Sequence, residues 1–224
     1  MTHTVHNDIE QGSDEWFELR RGIVTASVMG KLVTPTLKVA ANETSRTLAR
    51  LLASERITGR IQPTFTSEAI MRGHMDEPLA RDLYTLTHAQ ATEVGFMERS
   101  VGSARLGFSP DGVVGDDGLI EAKSAEPKIH LDRILGAPID HTHMAQMQGG
   151  MFVAEREWCD YLSYCGGMPM WVQRVEASAE WFNVIAAAVV SLEADILSMI
   201  DTYMAAVEGL PVTEYINYNA GIEF

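Results

Sequence analysis

Cysteine is almost missing from this chain: Cys159 and Cys165 are the only two. Two thiols build neither a disulfide framework nor the four-thiolate set of an iron–sulfur cluster, and a cytosolic compartment is the reading that follows. Long apolar runs are lacking too, since Ile185–Ile200 is broken by Ser191, Glu193, Asp195 and Ser198. Residues 1–10 lack the charged-then-apolar order of a signal peptide. Gly30-Lys31 has no glycine at the spacing of a phosphate-binding loop, so ATP is not implied. Internal repeats and low-complexity tracts do not stand out. Positive charge is scarce, with 17 Lys and Arg against 31 Asp and Glu, for a formal net charge of −14. Such a surface cannot coat a polyanion non-specifically, because phosphate binding depends on neutralising cations. The scarcity is uneven, however. Residues 1–60 hold eight basic and seven acidic residues, residues 61–224 hold nine and twenty-four, and nothing basic follows Arg174. A local basic channel lined by the N-terminal third remains open, and an acidic exterior would confine a polyanion to it.

What is present is enough for one substantial core. At 224 residues and 46% hydrophobic, one domain over 1–224 is the expectation, with a core of about 10–176 and a last helix of about 178–207. Ser13 is placed to cap a short helix that begins at Glu15-Trp16 and closes at Gly22. Either Thr25 or Ser27 caps a second helix through Met29 to Val33. Arg20 and Arg21 adjoin that junction, where helix-end N–H groups, small hydroxyls and a guanidinium form a phosphate cup; the bland alternative pairs Arg20 with Glu18. Asn42 caps a helix to about Ile57. Residues 59–66 read as linker, and Ser67 starts a long helix to about Thr87 in which Pro78 demands a kink or restart. Thr92–Glu98 and Ser103–Phe108 read as strands, and residues 127–136 as a loop with a short helix. A helix from about His141 to Val153 has Gly149-Gly150 for close packing. Glu157–Ser163 and Met170–Glu176 are further strands, and the last helix carries a Trp181/Ile185/Leu192/Ile196/Met199/Tyr203 stripe that is core or a subunit contact.

The stretch SPDGVVGDDGLIEAK, from Ser109 to Lys123, organises the rest. Asp111 sits in a Pro-Asp-Gly turn, and Leu119–Lys123 follows the 115–118 turn as a strand. Period-two geometry then puts Glu121 and Lys123 on one face and Ile120 on the other. Two acids and a lysine would converge where the hairpin closes, which is the layout of a hard-cation site with a lysine beside metal-bound water. Oxygen ligands suit Mg²⁺ or Mn²⁺ better than Zn²⁺. Glu77, on the long helix, is a candidate third carboxylate. His141 and His143 do not share a helix face, which argues against chelation by that pair.

Four collinear blocks then resemble one family: residues 10–27 (EQGSDEWFELRRGIVTAS), 72–84 (RGHMDEPLARDLY), 109–123, and 144–153 (MAQMQGGMFV) running on into 158–164. The chain is similar to the YqaJ-type viral recombinases, the family of bacteriophage lambda exonuclease within the PD-(D/E)xK nucleases. The resemblance implies an α/β fold with a mixed central sheet flanked by helices and a metal site at the sheet's edge. It implies two Mg²⁺ ions, with Mn²⁺ able to substitute, bound by Asp111, Glu121, the Ala122 carbonyl and Glu77. Lys123 would lie against the attacking water, and Gln146 would help hold water and scissile phosphate. Arg20, Ser27 and Ser109 match residues that bind a terminal 5′-phosphate, and Ile70 matches an apolar wedge that parts the end base pair. Where the family often has Cys-Pro after the lysine, this chain has Ser124-Ala125-Glu126-Pro127, and a basic residue expected soon after is either Lys128 or Arg133. The implied activity is a processive, ATP-independent 5′→3′ exonuclease on linear double-stranded DNA. It would work as a ring-shaped homotrimer with a single-strand annealing protein, phage- or prophage-encoded in a bacterial cytoplasm, and with no membrane.

Overall fold

The computed structural model describes residues 2–61 and 67–216; the expected 59–66 linker lies partly outside them. The chain builds two mixed sheets with helices packed between and around them. One sheet has the order β1 (His3–His6), β4 (Phe96–Val101), β5 (Ala104–Phe108), β2 (Val24–Thr25). The other runs β3 (Ala91–Thr92), β6 (Gly112–Val114), β7 (Gly118–Ser124), β8 (Trp158–Tyr164), β9 (Trp171–Glu176). Among the described residues, β2/β5 and β7/β8 are the parallel pairs.

Sequence placed one strand at Thr92–Glu98, but the segment splits into β3 and β4, which belong to different sheets. Gly95 sits at the break. A Cβ there would lie 1.8 Å from the Ile9 carbonyl oxygen, so the chain passes under its own N-terminal segment before joining the other sheet. Strand β1, which no sequence signal marks, is a four-residue segment held by pairing to β4.

Local signals fixed the helix starts well. Ser13 accepts from the Trp16 N–H to open α1 (Asp14–Arg20), and Asn42 and Ser45 form a reciprocal capping box on α2 (Glu43–Thr58). Ser67 caps α3 (Glu68–Thr87), which runs through Pro78 without interruption. The helix expected at Met29–Val33 is instead a 3-10 helix over Ala26–Lys31, and Thr25 gives it no side-chain cap. That segment is shaped by packing on α5 (His141–Ala154): a Cβ on Gly30 would meet Thr142 Cα at 2.9 Å.

Helix α5 lies between the two sheets, touching β4 and β5 on one side and β8 on the other. Gly150 lets it approach, since a Cβ there would be 2.6 Å from the Phe108 ring. Helix α4 (Pro127–Ile134) packs on β8 and β9. Helix α6 (Ala179–Ala206) is long and apolar enough to cross a membrane by length and composition, although its charged and hydroxyl residues argued otherwise. Here its Ile185/Ala188/Val189/Leu192/Ile196 face joins the main core, it packs on α2 and α5, and Glu193 pairs with Arg56.

Candidate active site

The site forms where one strand outlasts its neighbour. Strand β6 ends its pairing at Gly112↔Ile120, so among the described residues the last part of β7 has no strand partner on that side. Asp111, the residue before β6, turns into this gap and accepts the Ala122 N–H on Oδ2 at 2.7 Å. In an extended strand the N–H and C=O of one residue point the same way, so the Ala122 carbonyl faces the same gap. The expected position at a sheet edge is therefore corrected: β7 is the middle strand of five, and the opening is a notch made by the short β6.

Glu121 and Lys123 share a face of β7, as the alternation required. Glu121 is 1% exposed, and its Oε2 meets no hydrogen-bond donor among the described residues. Lys123 Nζ lies 2.5 Å from Oε1 as an ion pair outside hydrogen-bond geometry, and donates to Gln146 Oε1 at 3.1 Å. Gln146 comes from α5, so the inter-sheet helix delivers it onto the motif strand. Burial pulls the Lys123 ammonium down, but the Glu121 and Asp111 carboxylates more than offset this and hold it above the ordinary lysine value. Asp111 is pushed well above the usual carboxylate range by burial, then by Glu121 and Glu77; Lys123 and the Ala122 N–H only partly oppose this.

Glu77 acts on the Asp111 and Glu121 carboxylates through its charge. Its carboxylate is 3.3 Å from Arg81, and burial, with Glu121 and Glu93, raises its pKa against the pull of Arg81. Among the described residues no three acidic, histidine or cysteine side chains close into a metal cage. The oxygens that could hold a cation are those of Asp111, Glu121 and the Ala122 carbonyl, with the Glu77 carboxylate near enough to act on both acids through its charge. A buried Glu121 oxygen without a donor fits a hard cation, which would take its other oxygens from water and phosphate.

A second cluster lies two residues upstream of Asp111. Ser109 Oγ accepts from Trp16 Nε1 at 2.8 Å and from Arg20 at 3.2 Å, while the Arg20 guanidinium lies over the Trp16 ring at 3.9 Å. No carboxylate lies within ion-pair distance of Arg20 among the described residues; its neighbour Arg21 takes Glu18 instead. Burial lowers the Arg20 pKa to about 10, so it stays charged at neutral pH. Ser27 is exposed and bonds Thr25 at 2.9 Å rather than Arg20 or Ser109. Ile70 is exposed in the first turn of α3. Of the two basic candidates, Arg133 is buried and paired with Asp140, while Lys128 is exposed. His141 meets the Val33 carbonyl and His143 meets Tyr161, so the two rings go to different partners.

Three participants escaped the sequence. Trp16 was legible in principle, because Trp16 and Arg20 are four apart on one helix face. Arg81 bonds the Asp111 carbonyl at 2.6 Å, a contact no spacing rule predicts. Ser124 accepts from Arg72 at 2.9 Å and donates to Asp76 at 2.5 Å, tying α3 to the end of β7.

Comparisons with known proteins show the family and the fold. The model of the YqaJ-like viral recombinase domain matches residues 15–157. An alkaline exonuclease (LHK-Exo) from Laribacter hongkongensis is 30% identical, with a TM-score of 0.78 over 89% of this chain and 100% of that one. Its complex with dAMP gives 31% identity and a TM-score of 0.77 over the same shares. A phage-related exonuclease from Haemophilus somnus 129PT, at 13% identity and a TM-score of 0.62, shares the fold over 83% of this chain and 98% of its own. No curated protein sequence gives a match. The mixed α/β architecture is that of the PD-(D/E)xK nucleases, and the chain belongs to the YqaJ-like viral recombinase family.

Proposed function

We propose that this protein is a deoxyribonuclease that hydrolyses linear double-stranded DNA from its ends, 5′→3′ and without ATP, leaving 3′ single strands and releasing mononucleotides. The observation that carries it is the convergence of Asp111, Glu121, Lys123 and Gln146 around a buried carboxylate oxygen that meets no donor among the described residues. The family's role in recombination and the exonuclease relatives support the substrate class.

Asp111, Glu121 and the Ala122 carbonyl would hold Mg²⁺ or Mn²⁺, with Glu77 behind them for a second ion. Bound there, the ions would supply charge relief on phosphate and a more acidic water. The protein's own part is positional. Lys123 stands between Glu121 and Gln146, so its ammonium faces the phosphate beside the metal ligands and stabilises the charge that develops in hydrolysis. Gln146, fixed by its bond to Lys123, orients water and phosphate through its amide. Arg20, spread over Trp16 and bonded to Ser109, offers its remaining N–H groups to a terminal 5′-phosphate. Ser27 completes that pocket only after turning from Thr25, and exposed Ile70 would part the end base pair. A homotrimeric ring, a single-strand annealing partner and a phage- or prophage-encoded role in bacterial cytoplasm complete the reading.

The test is release of acid-soluble nucleotide from linear duplex with Mg²⁺ and no ATP, on 5′-phosphate and 5′-hydroxyl ends, beside a closed circle and Asp111→Ala. Digestion of the linear DNA alone, faster with 5′-phosphate and lost in the variant, is expected. Cutting of the circle would favour an endonuclease on the same fold. Ends bound without hydrolysis under either metal would favour an inert recombination scaffold.

A further inference from the structure

Arg81 belongs to a sequence block shared with the family, yet the chemistry above assigns it nothing. Its side chain is 14% exposed and joins three segments far apart in sequence. One terminal nitrogen donates to the Asp111 carbonyl at 2.6 Å and to Glu77 Oε1 at 3.3 Å, and the other donates to Glu93 at 2.6 Å. Glu77 and Arg81 lie on α3, Glu93 follows β3, and Asp111 precedes β6. The contact with Asp111 is to its backbone, leaving the carboxylate free to take the Ala122 N–H. One guanidinium therefore sets the peptide from which the first carboxylate projects and the side chain of the second.

The helix needs such a tie. Pro78 has no N–H, so the His74 carbonyl loses its partner four residues on, beside Glu77. The segment is nevertheless unbroken, and two clamps bracket it: Ser124 between Arg72 and Asp76 on one side, and Arg81 on the other. A fork of fixed donors suits this role, since planar N–H groups can serve acceptors on different elements at once.

Building on the metal-dependent nuclease reading, we propose that Arg81 is a positioning residue for the cation site, fixing Asp111 and Glu77 relative to each other through its bridge between α3 and the turn before β6. It touches neither substrate nor cation. Its charge alone is not enough, because a single ammonium cannot span the same acceptors.

The experiment measures Mn²⁺ binding to the DNA-free protein by calorimetry for wild type, Arg81→Ala and Arg81→Lys, with melting curves for each. The Mg²⁺ concentration giving half-maximal DNA hydrolysis is a second readout. The expected result is at least a tenfold loss of Mn²⁺ affinity in both variants, at temperatures where each is folded, with a parallel rise in the Mg²⁺ requirement. In a Glu77→Gln background the effect of Arg81→Ala shrinks, because the two residues act together. Should Arg81→Ala fail to fold, Arg81→Lys decides alone. An affinity within twofold of wild type in the folded variant overturns the proposal. Failure of wild type itself to hydrolyse DNA with Mg²⁺ or Mn²⁺ would instead overturn the nuclease reading.

Discussion

Asp111→Asn separates what the site does for the fold from what it does for chemistry. Asparagine keeps an oxygen able to accept the Ala122 N–H, so the 2.7 Å bond survives. What disappears is a negative charge that burial, Glu121 and Glu77 all oppose, and that Lys123 only partly supports. Removing an uncompensated charge from such a setting stabilises by about 1–3 kcal/mol, judged from buried ionic groups replaced by neutral ones. For a chain of this size that is a rise of roughly 3–10 °C in the metal-free melting temperature. The sign with pH follows from the raised carboxyl. Below about pH 3.8, the ordinary Asp value, Asp111 is protonated in folded and unfolded chains alike and the variant has no advantage. As pH rises the unfolded chain ionises first, wild type loses stability, and the gap widens until the folded carboxyl has also ionised. Metal reverses the order: a cation at 100 times its Kd stabilises wild type by about 2.7 kcal/mol and Asp111→Asn by far less. Melting curves with EDTA and with Mg²⁺ or Mn²⁺, between pH 4 and 8, test this. A variant that melts below wild type in EDTA at neutral pH would refute the like-charge argument, and an equal response to metal would remove Asp111 from the ligand set.

Lys123→Met should abolish hydrolysis while DNA ends still bind, and should cost about 3 kcal/mol of metal-free stability by leaving Glu121 buried without its cation; retained hydrolysis would exclude lysine from the chemistry. Arg20→Ala should cut the preference for 5′-phosphate over 5′-hydroxyl ends by about 10- to 100-fold, since a hydrogen bond to a charged group contributes about 1.5–3 kcal/mol. Competition between the two ends reads this directly, and an unchanged preference places the phosphate elsewhere. One strand over from the motif strand and in register with Ile120, Asp160 accepts from Tyr84 at 2.6 Å and from two nitrogens of the Arg174 guanidinium. Burial works against that carboxylate, but the Arg174 and Tyr84 bonds outweigh it and hold its pKa below the ordinary value. Its stabilisation is therefore complete above about pH 4 and lost as pH falls through the folded pKa. Asp160→Asn should cost about 2 kcal/mol at neutral pH, and an acid titration that leaves the gap open would contradict this.

Much of the site was legible because its geometry is local. Asp111 in a Pro-Asp-Gly turn, and Glu121 with Lys123 two apart on a strand, are placed by backbone periodicity alone, and the structure puts them as the alternation requires. Ser13, Asn42 and Ser67 announced their helices because a cap satisfies N–H groups only three residues away. Sequence could not show where β6 stops against β7, and that notch lets Asp111 reach the Ala122 N–H. Nor could it show that Thr92–Glu98 divides between two sheets, since the close passage of Gly95 beneath Ile9 joins segments over 80 residues apart. The 3-10 form of Ala26–Lys31 is set by packing on α5. Arg81 makes the same point within the site: its i, i+4 relation to Glu77 is written in the chain, but its hold on Asp111, 30 residues away, exists only once α3 has docked on the motif strand. Periodicity and capping act over one turn or one pleat, so the sequence determines them; contacts between distant segments wait for the core to bring those segments together.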